Sequence, residues 1–434
     1  MVLAIWNFLE KNPESATAWM HTHCPPARLP SAARQQFTHL SIRVMLIAFT
    51  RIAVKVLPLC MSHLRTENDI RTVAVNFSMP GEFLGSVPCG AGHINDTYEV
   101  HFSQGGVPMR YILQRINHHV FKRPDLVMDN IARVTAHITH KLRAAGAPEP
   151  DRRVLTLIPC RDGGISHQDA VGNHWRGYIY VERATAHNHV DDPHLAAEAA
   201  RAFGEFQNHL TDLPGGRLAD TIPNFHHTRC RYNTLMKAVA EDRVGRAASV
   251  QDAIDFCRRR ESMVDVLLDL QAKSRLPERV THNDTKINNV MMDDATGRGI
   301  CIMDLDTVMP GLVLYDFGDL VRTTTISTAE DAPDASGVEM RLPMFEALVR
   351  GYLEGASFLT EAEIDHLAFS GRLITLEVAL RFLTDYLEGD HYFRIKHPRH
   401  NLDRFRVQAA LVESMERQDT AMRDVVDRWK SAQN

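Results

Sequence analysis

Hydrophobic and polar positions begin to alternate with the two-residue period of a strand from about Glu82, where "GEFLGSVPCGAGHINDTYEVHF" reads as strand, glycine-bearing turn, strand. "RYILQRI" at 110–116 is a third strand, a helical period runs from about Pro124 to Ala145, and "RVLTLI" and "WRGYIYVERA" return to the sheet. From about Asp191 the texture changes. Long helical patterns occupy 192–212, 228–243, 249–273, 338–355, 360–388 and 402–430, interrupted by short β segments around 289–293 and 299–304. The fold class is therefore α+β, with a small antiparallel sheet lobe carrying one main helix, followed by a large, mainly helical lobe. The expected division is a poorly patterned extension at 1–75, the small lobe at 76–183 and the helical lobe at 184–434, joined near Val181-Glu182-Arg183. A cleft between lobes is a favoured ligand site.

Composition narrows the partners. With 49 basic and 54 acidic residues the net charge is −5, without the basic excess of a nucleic-acid binder. Seven scattered cysteines, none in a CxxC pair, read as reduced thiols of a cytoplasmic protein. Residues 42–61, "IRVMLIAFTRIAVKVLPLCM", are apolar, but Arg51, Lys55 and Pro58 cut the run too short to cross a bilayer. Residues 1–60 carry no sustained period, so an over-extended start, with Met61 or Met79 nearer the true one, is expected over a loosely docked extension.

The chemistry concentrates in "VTHNDTKINNVMMDDATGRGICIMDLD" at 280–306. His282-Asn283-Asp284 with Asn289 five residues on matches the spacing of the protein-kinase catalytic loop, Asn replacing Arg. Phosphoryl transfer needs a carboxylate to orient the attacking hydroxyl and oxygen ligands to hold magnesium. Asp284 and Asn289 offer one of each. "VMMD", the turn "DATGRG" and "ICIMD" then form a hairpin signature. With the turn centred on residues 296 and 297, Asn289 faces Asp304, about 5 Å apart between Cβ atoms, close enough to share a cation. Asp316 of the tripeptide Asp316-Phe317-Gly318 lies beyond Pro310-Gly311 and is expected to open the helix "DFGDLVRTTT" and cap its amides. The literal DFG is thus read as a decoy, and Asp304 as the metal ligand.

At these residues the chain resembles the aminoglycoside phosphotransferase and choline kinase branch of the kinase-like fold. "GAGHINDTY", "RYILQRIN", "THNDTKINNV", "DLDTVMPGLVLYDFGD" and "RFLTDYLEGDHYF" are more narrowly similar to the bacterial N-acetylhexosamine 1-kinases, from about Glu82 to the C-terminus. The resemblance implies a two-lobed protein-kinase-like fold, ATP and Mg2+ as cofactors, Asp284 as the catalytic carboxylate, and Asn289 and Asp304 as magnesium ligands. It also implies a phosphate-covering turn at Gly90-Ala91-Gly92, whose glycines let backbone amides approach phosphate. His93 and Asn95 follow the turn and are placed at the cleft as substrate-binding candidates.

One departure stands out. The third strand reads Tyr111-Ile112-Leu113-Gln114-Arg115, without the lysine that protein kinases place there. Either Arg115 carries the charge and binds phosphate, or Gln114 faces the cleft and alternation sends Arg115 to the other side. The helix after it offers only Asp125 and Asp129 as an acid partner. On the acceptor side, Arg381 and Asp385 lie four apart on one helix face, and the resemblance turns Arg381 from an ordinary surface pair into a sugar ligand. Arg322 is a further substrate-binding candidate. "HTHC" at 21–24 and "HHTRC" at 226–230 have metal-ligand types, but no second pair completes a zinc site.

The expected function is a Mg-ATP-dependent kinase acting on the anomeric hydroxyl of an N-acetylhexosamine, GlcNAc or GalNAc. A kinase of another small alcohol (homoserine, choline or aminoglycoside type) and an inactive kinase-like binding module are the competing readings. Its partners are then ATP and a small sugar, with no nucleic acid and no membrane, in a monomer or simple homo-oligomer.

Overall fold

The computed structural model describes residues 67–90 and 94–432. The expectations for residues 1–60, for "HTHC", and for Ala91, Gly92 and His93 lie outside the described residues.

The small lobe begins before residue 76. Helix α1 (Glu67–Ala74) buries Ile70, Val73 and Ala74 against Phe77, Phe83 and Trp175, so its apolar face belongs to that lobe's core. Strands β1 (Glu82–Pro88), β2 (Asp96–Gln104), β3 (Val107–Ile116), β4 (Leu157–Ile158), β5 (His167–Gln168) and β6 (His174–Ile179) form an antiparallel sheet in the order β1-β2-β3-β6-β4, with β5 also on β6. Alternation gives the sheet two faces. Tyr111 and Leu113 point into the core under α1. Ile112 and Ile116 point the other way, toward helix α2 (Pro124–Ala144), which buries Val127, Ile131, Val134 and Ile138. "RVLTLI" yields only the two residues of β4. The link after β6 ends in Arg183, held at a left-handed φ of 56°.

In the helical lobe, β7 (Ala184–Ala186), β9 (Val290–Asp293) and β10 (Gly299–Ile302) make a three-stranded sheet beside α3 (Pro193–His209). Strands β8 (Arg279–Thr281) and β11 (Met309–Gly311), which the sequence pattern missed, pair with each other. Helices α4 (Thr228–Glu241), α5 (Gln251–Arg258), α6 (Val266–Ala272), α7 (Val313–Thr325), α8 (Leu342–Gly355), α9 (Glu361–Asp365), α10 (Leu367–Glu388), α11 (His400–Arg417) and α12 (Asp419–Ser431) complete it. The predicted helix at 249–273 is broken into α5 and α6, and the one at 402–430 breaks at Gln418.

Helix α10 is buried almost all round, packing against α7, α11 and α4. Gly318 of α7 explains its own identity, since a Cβ there would stand 2.5 Å from the Ser370 carbonyl oxygen of α10. No described helix is long and apolar enough to cross a membrane. The five described cysteines carry no disulfide.

Candidate active site

The β8–β11 pairing, Thr281 opposite Met309, brings together the two ends of the segment that carries the chemistry. Between them, His282 to Asn289 form a loop whose backbone is fixed from within. The Nε2 of buried His282 donates to the Met303 carbonyl (2.8 Å) and its Nδ1 accepts the Asp284 amide (3.2 Å). Phe203 and Phe206 pack edge-on against the imidazole. Asn283 is left-handed (φ 64°) and spans from Thr281 Oγ1 (3.1 Å) to the Thr307 carbonyl (2.9 Å). Such conformations persist only where the surroundings hold them. Here they turn the Asp284 side chain outward, about a quarter exposed, while its neighbours are buried.

Asp284 is met by Lys286, whose Nζ lies 2.8 Å from Oδ1. Burial works against ionisation, but the ammonium prevails and holds the carboxyl below its ordinary value. The same carboxylate raises the Lys286 pKa. Asn289 donates its side-chain Nδ2 to the Asp284 backbone carbonyl (2.8 Å), leaving its side-chain Oδ1 without a protein donor among the described residues. The hairpin differs from its expected register by one residue. Val290 faces Ile302, and the Met303 amide donates to the Asn289 carbonyl (2.8 Å), so Met303 rather than Asp304 stands opposite Asn289. At the turn Met292 already faces Gly299, two residues short of expectation, and a bulge between Gly299 and Cys301 recovers one of them. Asp304 then follows two residues past β10 with left-handed backbone (φ 56°) and a solvent-exposed side chain. The protein crowded around its one solvent-facing edge, then the charges of Asp306 and Asp284, raise its carboxyl to about 6, with Arg176 pulling the other way.

Asp316 neither opens nor caps its helix. It lies in the first turn of α7, behind the cap residue Leu312, and its carboxylate accepts the amides of His282 (2.8 Å) and Asn283 (2.6 Å) and the side-chain amide of Gln207 (2.6 Å). Its oxygens are thus spent inside the helical lobe. Phe317 is enclosed by Phe345 and Tyr352.

On the sheet side, Arg115 faces away from the cleft and is held by Asp96 and by Asn173 Oδ1 (3.0 Å), so it does not serve the phosphates. Gln114 has the cleft-facing position, its amide donating to Thr97 Oγ1 (2.8 Å). Its carbonyl accepts Nε (2.9 Å) and Nη2 (2.6 Å) of Arg176, the residue opposite it on β6. Arg176 is fully buried and pairs with buried Asp306, whose other oxygen accepts Asn95 Nδ2 (2.6 Å). Asn95 Oδ1 in turn accepts the Asn117 amide (2.9 Å), so Asn95 is a tie between lobes rather than a substrate ligand. Gly90 takes the positive φ (87°) that the turn demands. Asp125 and Asp129 are both solvent-facing on α2 and neither meets Arg176.

On the acceptor side, Arg381 is half-buried among Phe225, Tyr392 and Phe393, its guanidinium carbon 5.5 to 5.9 Å from the three ring centres. It does not pair with Asp385. That carboxylate instead collects the amides of His391 (2.9 Å), Tyr392 (2.7 Å) and Phe393 (2.9 Å), and so shapes the loop that brings two of those rings over Arg381. Arg322 is buried and held by Asp319 (2.8 Å) and Glu330 (2.6 Å); what it brings to Asp284 is its charge rather than a free hydrogen-bonding edge. His226, dismissed with the other histidines, bridges Glu377 (2.9 Å) and the Asn283 carbonyl (3.1 Å). Burial opposes its charge, but Glu377 raises its pKa above the ordinary value.

Lys286 lies inside the 280–306 motif, but a lysine two residues after an aspartate has no distinctive spacing, so the sequence does not mark it. Arg176, Asp306 and His226 carry no local signal, since each acquires its role from partners 50 or more residues away. A hollow of about 630 Å³ lined by Arg341, Ser414 and Gln418 contains none of these residues.

The donor set fits magnesium held jointly with phosphates. Asp304 feels the charge of Asp284 and is short of positive charge, and Asn289 beside Asp284 keeps a side-chain oxygen to offer, while an ion that keeps water and phosphate ligands needs few protein ones. Among the described residues no group of three His, Cys, Asp or Glu side chains could hold a metal unaided.

A profile of the phosphotransferase enzyme family matches residues 86–357. An aminoglycoside phosphotransferase from Alicyclobacillus acidocaldarius subsp. acidocaldarius shares the fold at a TM-score of 0.53 and 12% identity, over 82% of this chain and 96% of its own. The microcompartment-associated aminopropanol kinase gives 0.46 at 17% identity (85% and 98% covered), and a choline kinase from Cryptosporidium parvum Iowa II 0.46 at 12% (78% and 90%). A profile that spans most of both lobes and takes in the whole Asp284–Asp304 segment places the chain in the phosphotransferase enzyme family, as a small-molecule kinase.

Proposed function

We propose that the protein transfers the γ-phosphoryl group of Mg-ATP to the anomeric hydroxyl of an N-acetylhexosamine, GlcNAc or GalNAc, giving the sugar 1-phosphate. The observation that carries the acceptor class is the charge pattern around Asp284. Asp284, Asp319 and Glu377 each have a cation: Lys286, Arg322 and His226 respectively. Arg381 forms no ion pair among the described residues; it lies among aromatic rings, and the Glu377 carboxylate feels its charge. A cationic acceptor such as choline or an aminoglycoside would meet the positive charge of Arg381 there. A neutral sugar offers that guanidinium hydroxyl and carbonyl oxygens, and its apolar face suits the rings.

Asp284, kept ionised by Lys286, accepts a hydrogen bond from the anomeric hydroxyl, aims its oxygen at phosphorus and takes the proton late, because the transition state is loose and positioning dominates. Lys286 offsets the negative charge that gathers as the two oxyanions approach. Asn289 and Asp304 would hold magnesium, which supplies charge neutralisation across the β- and γ-phosphates. The decisive experiment is a coupled ADP-release assay over N-acetylhexosamines, hexoses, choline, homoserine and aminoglycosides, with the product read by phosphorus NMR. Coupling of phosphorus to the anomeric proton is expected. Phosphate on the 6-hydroxyl, or turnover of an amino alcohol with none of any sugar, defeats the reading.

A further inference from the structure

The third strand lacks the lysine that would carry positive charge to the cleft. Gln114 holds that place and is neutral, and it passes its hydrogen bonds sideways to Arg176 on the next strand. The positive charge has moved over by one strand. Its carboxylate partner has moved further, from the helix α2 to Asp306, two residues beyond Asp304. The ion pair therefore crosses the cleft, joining the sheet of the small lobe to the metal-bearing segment of the helical lobe.

We propose that Arg176 and Asp306 replace the strand-three lysine and its acid partner, as positioning residues for the magnesium-bound phosphates of the nucleotide. The proposal rests on the nucleotide half of the function above and is independent of the acceptor. Arg176 is fully enclosed, so it works through its neighbours. One route runs along the chain: fixing Asp306 fixes the left-handed Asp304, whose charge Arg176 also faces. The other runs through Asp306 Oδ2 to Asn95 and the Asn117 amide, which anchors the chain leaving the glycine turn that starts at Gly90. Thr221 Oγ1 and Asn130 Nδ2, bonded to the Asp306 and Val308 carbonyls (3.1 and 2.9 Å), stiffen the same short segment. A single ion pair thus ties Asn95 and Asn117 of the small lobe to the segment that carries Asp304.

Removing one partner of a buried pair strands the other's charge, so Arg176→Met alone invites unfolding. The double variant Arg176→Met/Asp306→Asn removes both charges and keeps an acceptor for Asn95. Calorimetric titration with ADP, with and without magnesium, is the readout, alongside thermal melts. The double variant should fold and bind Mg-ADP about tenfold or more weakly, the loss of one charge-assisted contact, with a much smaller loss for metal-free ADP. Asn95→Ala, at a partly exposed site, should show the same split more weakly. Adding Gln114→Lys to the double variant should recover Mg-ADP affinity, by returning the charge to strand three. Binding of Mg-ADP within about twofold of the parent in both variants, or equal losses with and without magnesium, would overturn the proposal and mark the pair as a plain interlobe fastener. A parent protein that binds no nucleotide would instead sink the kinase reading itself.

Discussion

The Asp316 carboxylate accepts the backbone amides of His282 and Asn283 (2.8 and 2.6 Å), the two residues that lead into Asp284. A helix of the large lobe thereby grips the catalytic loop by its main chain. Burial raises the Asp316 pKa, while these amides, Gln207 and the nearby His282 oppose the rise. Asp316→Asn replaces one accepting oxygen with a donor facing an amide. It should cost about 1–3 kcal/mol of stability, as expected for a buried group left unpaired, and lower kcat more than nucleotide affinity. Thermal melts beside calorimetric ADP binding check this. A variant of unchanged Tm and unchanged kcat would show that the grip is dispensable.

Asp284→Asn keeps the shape of the loop but removes the basic oxygen beside Lys286. Turnover should fall by about 10²–10⁴-fold, the usual worth of a general base, with ADP affinity nearly unchanged. Pre-steady-state phosphate transfer measures the first and titration the second. Retention of parental turnover would remove Asp284 from the chemistry.

Asp304 gives a pH test whose sign is fixed. Its folded pKa of about 6 lies above the ordinary unfolded value of about 3.9. The folded state therefore binds more protons between those values. The contribution of this group to stability is fully present below about pH 4 and is lost as pH rises through 6. Because Asp304 is exposed on its cleft side, about 1 kcal/mol or less is expected after screening by water. In metal-free protein, Asp304→Asn should thus gain on the parent in Tm between pH 4 and pH 7.5. Mg-ADP should erase that gain, since it stabilises only the parent's ionised form. Parallel Tm curves with pH would contradict the assignment.

The sheet-then-helix order was legible because periods of two and 3.6 report burial on one face, and burial decided the fold. The Asp284–Asn289 loop and the arrival of Asp304 at its base were legible for a similar reason, being local in the chain. The hairpin register slipped because the turn closes between Asp293 and Arg298, ahead of residues 296 and 297, and the bulge at Gly299–Cys301 recovers only one residue of the difference. Asp316 was misread since a capping aspartate and a clamping one look alike until the partner strand is known. The Arg115 alternative was settled by pairing: opposite Gln114 stands Arg176, opposite Arg115 stands Trp175, and only one face meets the cleft.

Arg381 provides the last test, because its setting favours one acceptor class over another. A guanidinium half out of water, with three rings around it and no ion pair, is costly unless a ligand supplies oxygens. The nearest acid, Glu377 one turn back on α10, is engaged by His226. Arg381→Ala should therefore raise KM for the N-acetylhexosamine by about 10–100-fold, the worth of one or two hydrogen bonds to a charged donor, and leave ADP affinity alone. Arg381→Lys should recover only part, since an ammonium cannot lie flat among the rings or offer two parallel donors. If the acceptor were instead a cation, removing Arg381 would relieve repulsion, and KM for choline or an aminoglycoside would fall. Steady-state kinetics with both classes on parent and variant separates the two, because the predicted changes in KM have opposite signs.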